Sequence, residues 1–481
     1  MKILEVTGFP NNGAGSGTLM TSQTVAFLKD GHSVHTILSE NRTDFPRVEG
    51  SDYRLVAFTA DTEDHEVIDN QLPFNFPMFT THTRSTETFW NVKLEQIKAI
   101  EDKYREAIEL EMNSFAPEVI HAQHNWVHAA VCTEFNIPVV VTIHGTDLMG
   151  YERILKEIPE IKAKLEDVSI SEEEKEGLSA TLEKYEYFKQ RAEKSARDSA
   201  AVIVISEDQK NKFNTLFPES KNKVNFIKNG YNTDNYHILD NVDKDAFFST
   251  LTSATKEDKI VPTDYDKLVT FVGKFADFKG IDVLLDSAKK YEEEMNAKGE
   301  KVMTVIVGSG ALDSQLKQQA KDLELKNVHF VGLQTPDVIC KLQNLSDISL
   351  VPSRNEPFGL VVIEGLACGH PVIATNGGGI PDIMNTTGKI IKKDYNSQDK
   401  ENANVLAPDN GTTGTYTTDL GILVPTDDAD SLADAVVDVL VGNKTFDNEK
   451  IVDYVKNNYS QEKINKDIAN LFSKCIENYN K

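Results

Sequence analysis

Apolar residues along this chain come in short runs separated by longer stretches where they recur at helical spacing. In the first half the runs are Ile3 to Thr7, Ser33 to Leu38, Val119 to His121, Pro138 to Ile143 and Ala201 to Ile205. In the second they are Leu268 to Val272, Val302 to Val307, Val328 to Val331, Ile348 to Val351 and Pro371 to Thr375. A glycine loop follows the first run and leads to a helix from about Leu19 to Lys29. Short apolar runs alternating with helices predict parallel sheets, and hence an α/β fold.

Length divides this pattern in two. At 481 residues the chain exceeds what one core usually supports. The expected domains are residues 1–240 and 265–450, with the polar, irregular stretch 238–266 as a hinge region. A helical tail, 451–481, is expected to pack back across that hinge. Residues 151–198 are highly charged with helical spacing. They read as a solvated helical excursion, or alternatively as a helical pair facing an acceptor or a second subunit. Residues 393–420, rich in Asn, Asp, Gly and Thr, read as a long surface loop. No internal repeat is visible.

Charge narrows the partners. With 76 acidic against 51 basic residues the formal net charge is −25, which disfavours nucleic acid and anionic membrane surfaces. No apolar run is long enough to span a membrane, and Met1 to Val6 reads as a strand rather than a signal peptide. Cys132, Cys340, Cys368 and Cys475 are scattered without metal-ligand spacing, as expected of reduced thiols in the cytoplasm.

Residues 351–383 carry the densest chemistry. The strand Ile348 to Val351 ends at Pro352, and a polar loop holds Ser353, Arg354, Asn355 and Glu356. Pro357 is expected to open a helix that carries Glu364 about two turns in and stops near Gly369. Strand Pro371 to Thr375 then leads into Gly377-Gly378-Gly379. Loops at the carboxyl ends of parallel strands are where open sheets bind ligands. The backbone amides of Phe358, Gly359 and Leu360 at a helix N-terminus suit an anion. The glycines let a second backbone segment approach closely. Glu356 and Glu364 would repel phosphate but accept hydrogen bonds from hydroxyls. Amides for phosphate and carboxylates for hydroxyls together describe a nucleotide-sugar site.

Glu356 and Glu364, in Glu-Pro-Phe-Gly-Leu-Val-Val-Ile-Glu, resemble the E-x7-E signature of retaining glycosyltransferases of family 4. The resemblance extends to Phe271-Val272-Gly273-Lys274-Phe275-Ala276-Asp277-Phe278-Lys279-Gly280, similar to the family's Gly-Arg…Lys-Gly loop. It also reaches Thr142-Ile143-His144-Gly145-Thr146-Asp147 and Lys228-Asn229-Gly230. Nearly the whole carboxyl-terminal half matches, the amino-terminal half only in patches. The resemblance implies the GT-B architecture, two Rossmann-like domains facing each other across a cleft.

It also implies roles. Lys274 and Lys279 would neutralise the donor diphosphate, with Lys274 standing where arginine is usual and lacking its bidentate fork. Glu364 would hold the ribose hydroxyls and Glu356 those of the donor sugar. His144 would contact that sugar from the opposite domain. The expected catalytic set is therefore His144, Lys274, Lys279 and Glu356. Donor binding is expected of Gly15, Gly17, Gly273, Phe358, Gly359, Leu360, Glu364, Gly378 and Gly379. Gly15 and Gly17 belong to the loop Asn11 to Thr18, whose Gly-x-Gly-x-Gly spacing is not a dinucleotide fingerprint.

His121, His124 and His128 have spacings that tempt a zinc reading, but no acidic or cysteine partner is adjacent. They are expected instead as polar residues lining the acceptor side, His124 foremost. Residues 77–90, with His82 and Arg84, serve equally as an acceptor-side loop or a structured surface loop.

The expectation is a cytoplasmic enzyme. It would transfer a hexose or N-acetylhexosamine from a nucleoside-diphosphate sugar, UDP-glucose being typical, to a hydroxyl with retention. No metal and no cofactor is expected beyond that nucleotide-sugar co-substrate. The acceptor is a sugar, a glycan or a small hydroxylated molecule, and a homo-oligomer is left open. The alternatives are a nucleotide-sugar epimerase of the same architecture and a non-catalytic partner of another transferase.

Overall fold

A computed structural model describes residues 1–11, 15–61, 67–80, 82, 84–253, 259–261, 263–384 and 414–481. They form two compact units, Met1–Asn229 with Ile464–Lys481, and Gly230–Lys463.

The first unit is built on strands β1 (Lys2–Thr7), β2 (Ser33–Glu40), β3 (Asp52–Ala57), β4 (Val119–Gln123), β5 (Val139–Thr142), β6 (Ala201–Val204) and β7 (Val224–Phe226). They lie in the order β3-β2-β1-β4-β5-β6-β7, each pair parallel. Every residue of β4, β5 and β6 is buried, which is why β5 and β6 read as largely apolar runs and not alternating ones, while β4 carries His121 and Gln123 into the same interior. Helices α1 (Gly15–Lys29), α2 (Leu94–Ser114), α3 (Val127–Cys132), α4 (Thr146–Leu165), α5 (Glu172–Asp198) and α6 (Glu207–Leu216) connect them.

The charged segment 151–198 is not a solvated excursion. It forms most of α4 together with α5, and Ile154, Ile161, Tyr185, Phe188, Ala192 and Ala196 join the main core of this unit. Its charges are used too. Arg191 Nε meets the buried Glu101 at 2.7 Å, and Lys184 Nζ donates to the carbonyls of Trp90 and Val92. Ser171 caps α5 by accepting from the Glu174 amide, and Glu172, Glu173 and Glu174 face the positive end of the helix dipole.

In the second unit, α7 (Lys244–Phe248) and the short pair β8 (Thr252–Ser253) and β9 (Lys259–Ile260) precede a larger sheet. That sheet contains β10 (Lys267–Val272), β11 (Val302–Val307), β12 (Val328–Gly332), β13 (Ile348–Val351), β14 (Val372–Thr375), β15 (Tyr416–Thr418) and β16 (Gly421–Val424). Its order is β12-β11-β10-β13-β14-β16-β15, parallel except where β15 meets β16. The helices are α8 (Ile281–Ala297), α9 (Asp313–Asp322), α10 (Pro336–Leu345), α11 (Leu360–Ala367), α12 (Ile380–Met384), α13 (Ala429–Leu440) and α14 (Asn448–Tyr459). Of the surface loop expected at 393–420, residues 393–413 lie outside those described, and 416–418 are strand β15.

The last helix, α15 (Gln461–Tyr479), returns the chain to the first unit. Ile464, Ile468, Leu471, Phe472 and Cys475 recur at helical spacing and pack with Ile3, Phe27, Val34, Val119 and Val140. Phe472 is fully buried, 5.8 Å from the Phe27 ring and 5.1 Å from that of His121. Phe472→Ala is expected to destabilise this unit by about 3–5 kcal/mol. Both tryptophans, Trp90 and Trp126, lie in the first unit. A lower urea midpoint of the tryptophan fluorescence transition would therefore report the loss, and an unchanged midpoint would deny the helix this role.

Candidate functional site

In the second unit β10 pairs with β11 on one side and β13 on the other, so strand order reverses at β10. The loops after β10 and β13 border that switch point, the usual ligand crevice of an open parallel sheet. Backbone contacts hold these loops together. Gly280 has φ +64°, and a Cβ there would lie 2.0 Å from the Pro352 carbonyl oxygen. Gly378 has φ +58°, and its Cβ would lie 2.2 Å from the Glu356 oxygen. The Gly379 amide donates to that same oxygen at 2.7 Å. The triple glycine therefore brings backbone up to the neighbouring loop, where the sequence suggested it would approach a ligand.

Arg354 is the side-chain staple of the same loop. Its Nη2 meets Asp282 Oδ2 at 2.5 Å, its Nε meets Asp427 Oδ1 at 2.6 Å, and its Nη1 donates to the Asp277 carbonyl. The hydrogen bonds to Asp282 raise its pKa above the usual arginine value. Its own amide donates to the Phe278 carbonyl, closing the link between the loops after β10 and β13.

Helix α11 begins at Leu360, three residues later than Pro357 suggested. Gly359 takes φ 109° and ψ 51°, a left-handed cap that keeps Pro357 and Phe358 in the loop. Glu364 accordingly lies about one turn into the helix. Among the described residues no acceptor meets the amides of Phe358, Gly359 and Leu360. They remain available at the positive end of the helix.

Lys279 Nζ and Glu356 Oε2 form an ion pair at 2.5 Å, their side chains 15% and 11% exposed. Glu364 behaves differently. Burial lifts its pKa to about 7 against the opposing pull of Lys279. Among the described residues its carboxyl makes no hydrogen bond or ion pair. Lys274 is exposed, and partial desolvation lowers its ammonium pKa. Gly273 donates its amide to Val307.

In the first unit His144 follows β5, and Asp147 shapes its turn. Asp147 Oδ1 accepts from the amides of His144, Gly145 and Leu148, and Oδ2 from that of Asn125. The His144 ring is half-buried, with Nε2 2.7 Å from Gln123 Oε1. Burial, with the neighbouring His121, pushes its pKa down to about 3, so the ring is neutral at pH 7.

The carboxyl-terminal unit matches the family model "Glycosyl transferases group 1" over residues 253–403, and the amino-terminal unit matches "Glycosyltransferase Family 4" over residues 14–235. The chain is a GT-B-fold protein related to these glycosyltransferases. Sucrose-phosphate synthase from Thermosynechococcus elongatus shares the fold with a TM-score of 0.65 at 16% identity, over 98% of each chain. An uncharacterized glycosyltransferase of Methanocaldococcus jannaschii is 31% identical over 40% of this chain and 46% of its own length, so the match spans less than half of that relative. N-acetyl-alpha-D-glucosaminyl L-malate synthase of Bacillus anthracis is 25% identical over 79% of this chain and 80% of that protein.

Within this glycosyltransferase fold the expected residues separate. Lys274, Lys279, Glu356, Phe358, Gly359, Leu360 and Glu364 lie on the loops after β10 and β13 or on α11. Gly15 and Gly17 are not loop residues, since α1 begins at Gly15, while Asn12, Gly13 and Ala14 lie outside the described residues. His124 does not line an open surface. It is 2% exposed with φ 75°, and its ring packs 4.6 Å from Phe9 and 4.5 Å from His144. Burial holds its pKa well below the usual value. His121 bonds Glu5 and Thr142, and His128 bonds the Gln123 carbonyl, so the three histidines point to separate partners. Arg84 is committed to Glu40, itself fully buried, and His82 Nδ1 accepts from the Arg84 amide. Their ties are those of a structured loop. Arg354, Asp147 and Gln123 were missed as organisers of the site. A buried carboxylate just inside a helix N-terminus was the available signal for Asp147, whereas Arg354 and Gln123 act through partners distant in sequence.

Gly377 and Gly378 offer a matched test. A Cβ at Gly377 would meet nothing closer than Thr426 Oγ1 at 3.5 Å. Gly378→Ala should lower the thermal midpoint and weaken nucleotide binding at least about tenfold, while Gly377→Ala should do neither. Equal behaviour of the two variants in calorimetric titration would refute the loop-packing role.

Proposed function

We propose that the protein is a retaining glycosyltransferase. It would move a hexose or N-acetylhexosamine from a nucleoside-diphosphate sugar, with UDP the preferred nucleotide, to the hydroxyl of a small acceptor. The observation that carries this reading is Glu364, a half-buried carboxyl with raised pKa and no partner among the described residues, one turn behind three available amides. A ligand supplying both hydroxyls and phosphate answers both needs at once. Ribose hydroxyls donating to Glu364 favour its ionised form, and the diphosphate meets the helix N-terminus and the Lys279 and Lys274 ammoniums.

The chemistry asked of these groups is stabilisation of the departing nucleoside diphosphate. In the proposed donor complex Lys279 neutralises phosphate, and Glu356, released in part from that lysine, accepts from sugar hydroxyls. Neutral His144 serves as a hydrogen-bond partner of substrate and not as a charge. The acceptor attacks the anomeric carbon from the face the phosphate leaves, and the departing phosphate oxygen takes the acceptor's proton. This step requires no metal and no further cofactor. A small hydroxylated acid as acceptor is supported by the malate synthase relative, which is similar over 80% of its length. A cytoplasmic setting is supported by four free, buried cysteines.

Transfer is best followed by mass spectrometry of UDP-sugar incubated with small hydroxy acids and polyols, with the product's anomeric configuration read by NMR. Glu356→Gln keeps shape and removes charge. It should cut turnover on the order of a hundredfold with little change in thermal midpoint. Wild-type turnover in this variant would remove Glu356 from the site, and an inverted product would overturn retention.

A further inference from the structure

A buried polar chain crosses the first sheet behind His144. It starts at Glu5 on β1, which is fully buried. Strand register sets Glu5 beside His121 and Gln123 beside Thr142, so the side chains meet at the carboxyl ends of β1, β4 and β5. Glu5 Oε1 lies 2.9 Å from His121 Nδ1, and His121 Nε2 lies 2.7 Å from Thr142 Oγ1. Glu5 Oε2 accepts from Gln123 Nε2 at 3.0 Å. The other end of that amide, Oε1, lies 2.7 Å from His144 Nε2.

The direction of this chain is fixed by chemistry. The Gln123 amide nitrogen can only donate, and it sits between the Glu5 carboxyl and Gln23 Oε1, the latter at 3.4 Å. Turning the amide over would place its oxygen against both of those acceptors. The oxygen therefore faces His144, and an amide oxygen can only accept. His144 Nε2 must carry the hydrogen, which leaves Nδ1 of the neutral ring with a lone pair. Among the described residues no donor reaches Nδ1.

We infer that Gln123, oriented by Glu5, is a positioning residue that holds His144 as its Nε2–H tautomer and so presents Nδ1 as an acceptor to a substrate hydroxyl. This rests on the proposed role of His144 in sugar transfer. Two further contacts keep the ring in place. Asp147 takes the His144 amide, and the His124 ring lies 4.5 Å away on one side. A ring of the opposite tautomer would present a donor at Nδ1 in place of that acceptor.

The test is nitrogen NMR of the full chain carrying labelled histidine, with His144 assigned by its loss in His144→Ala. Wild-type protein should show a protonated Nε2 and a bare Nδ1 at His144. Glu5→Gln keeps volume and lets the Gln123 amide turn over, so its His144 signals should move toward a mixture of tautomers. Sugar transfer should then fall on the order of tenfold in kcat, about one hydrogen bond's worth. Gln123→Leu should abolish the hydrogen-bonded Nε2 proton signal. A proton on Nδ1 in the wild type, or unchanged His144 signals in Glu5→Gln, would overturn the inference. Should the tautomer be as expected while His144→Ala transfers at the wild-type rate, it is the proposed role of His144 in transfer that fails, and with it the purpose given to the tautomer.

Discussion

Backbone packed directly on backbone holds the segment Pro352 to Phe358, and the chemistry of the second unit depends on it. Gly280 lets the loop after β10 close on Pro352, and Gly378 lets the loop after β14 close on Glu356. Arg354 then pins the same segment to Asp277, Asp282 and Asp427. Held from both sides, the segment fixes where Glu356 meets Lys279 and where α11 begins. The orientation of the three amides at Phe358, Gly359 and Leu360 follows, as does the position of Glu364 one turn further on. Preorganisation of this kind matters because oriented dipoles stabilise a leaving phosphate only if they need not rearrange when charge develops.

The first unit solves a related problem with side chains. Its candidate histidine, His144, stands at the end of β5, and two buried carboxyls arrange it: Asp147 through the backbone of its turn, Glu5 through Gln123. Burying polar groups stabilises a structure only when each finds a partner. Glu5, His121, Gln123 and Thr142 satisfy one another across adjacent parallel strands, which is the register's contribution to the site. The chain's excess negative charge is spread differently, over surface helices such as the first turn of α5.

Much of this was legible in the sequence. Fully buried parallel strands are continuous apolar runs, so the sheets could be placed from Val139 to Thr142 or Val302 to Val307 alone. Glu356, Glu364 and Lys279 could be singled out because phosphate and hydroxyl recognition favours particular residue types at the carboxyl ends of parallel strands, and they do lie on the loops after β10 and β13 and on α11. What sequence could not reveal depended on contacts distant along the chain. Charged spacing in 151–198 suggested a solvated excursion, because the stripe formed by Ile154, Ile161, Phe188 and Ala192 is narrow and only tertiary packing shows that it is covered. Proline at 357 favoured an early helix start, and the left-handed Gly359 overrode it. His124 looked like a ligand-facing strand end, yet its positive φ turns the ring inward against Phe9. Gly378 and Gly379 signalled close approach correctly, but the approaching partner was the neighbouring loop.

Ligand-induced stabilisation measures directly whether the second unit is a nucleoside-diphosphate site. Thermal unfolding of the intact chain would be followed with UDP, GDP and ADP, each at millimolar concentration. A ligand held a hundredfold above its dissociation constant adds about 2.7 kcal/mol of apparent stability, readily seen as a raised midpoint. A clear rise is expected with at least one of the three, UDP first, and its loss in Lys279→Ala. No rise with any of them would contradict the site and the transferase reading built on it.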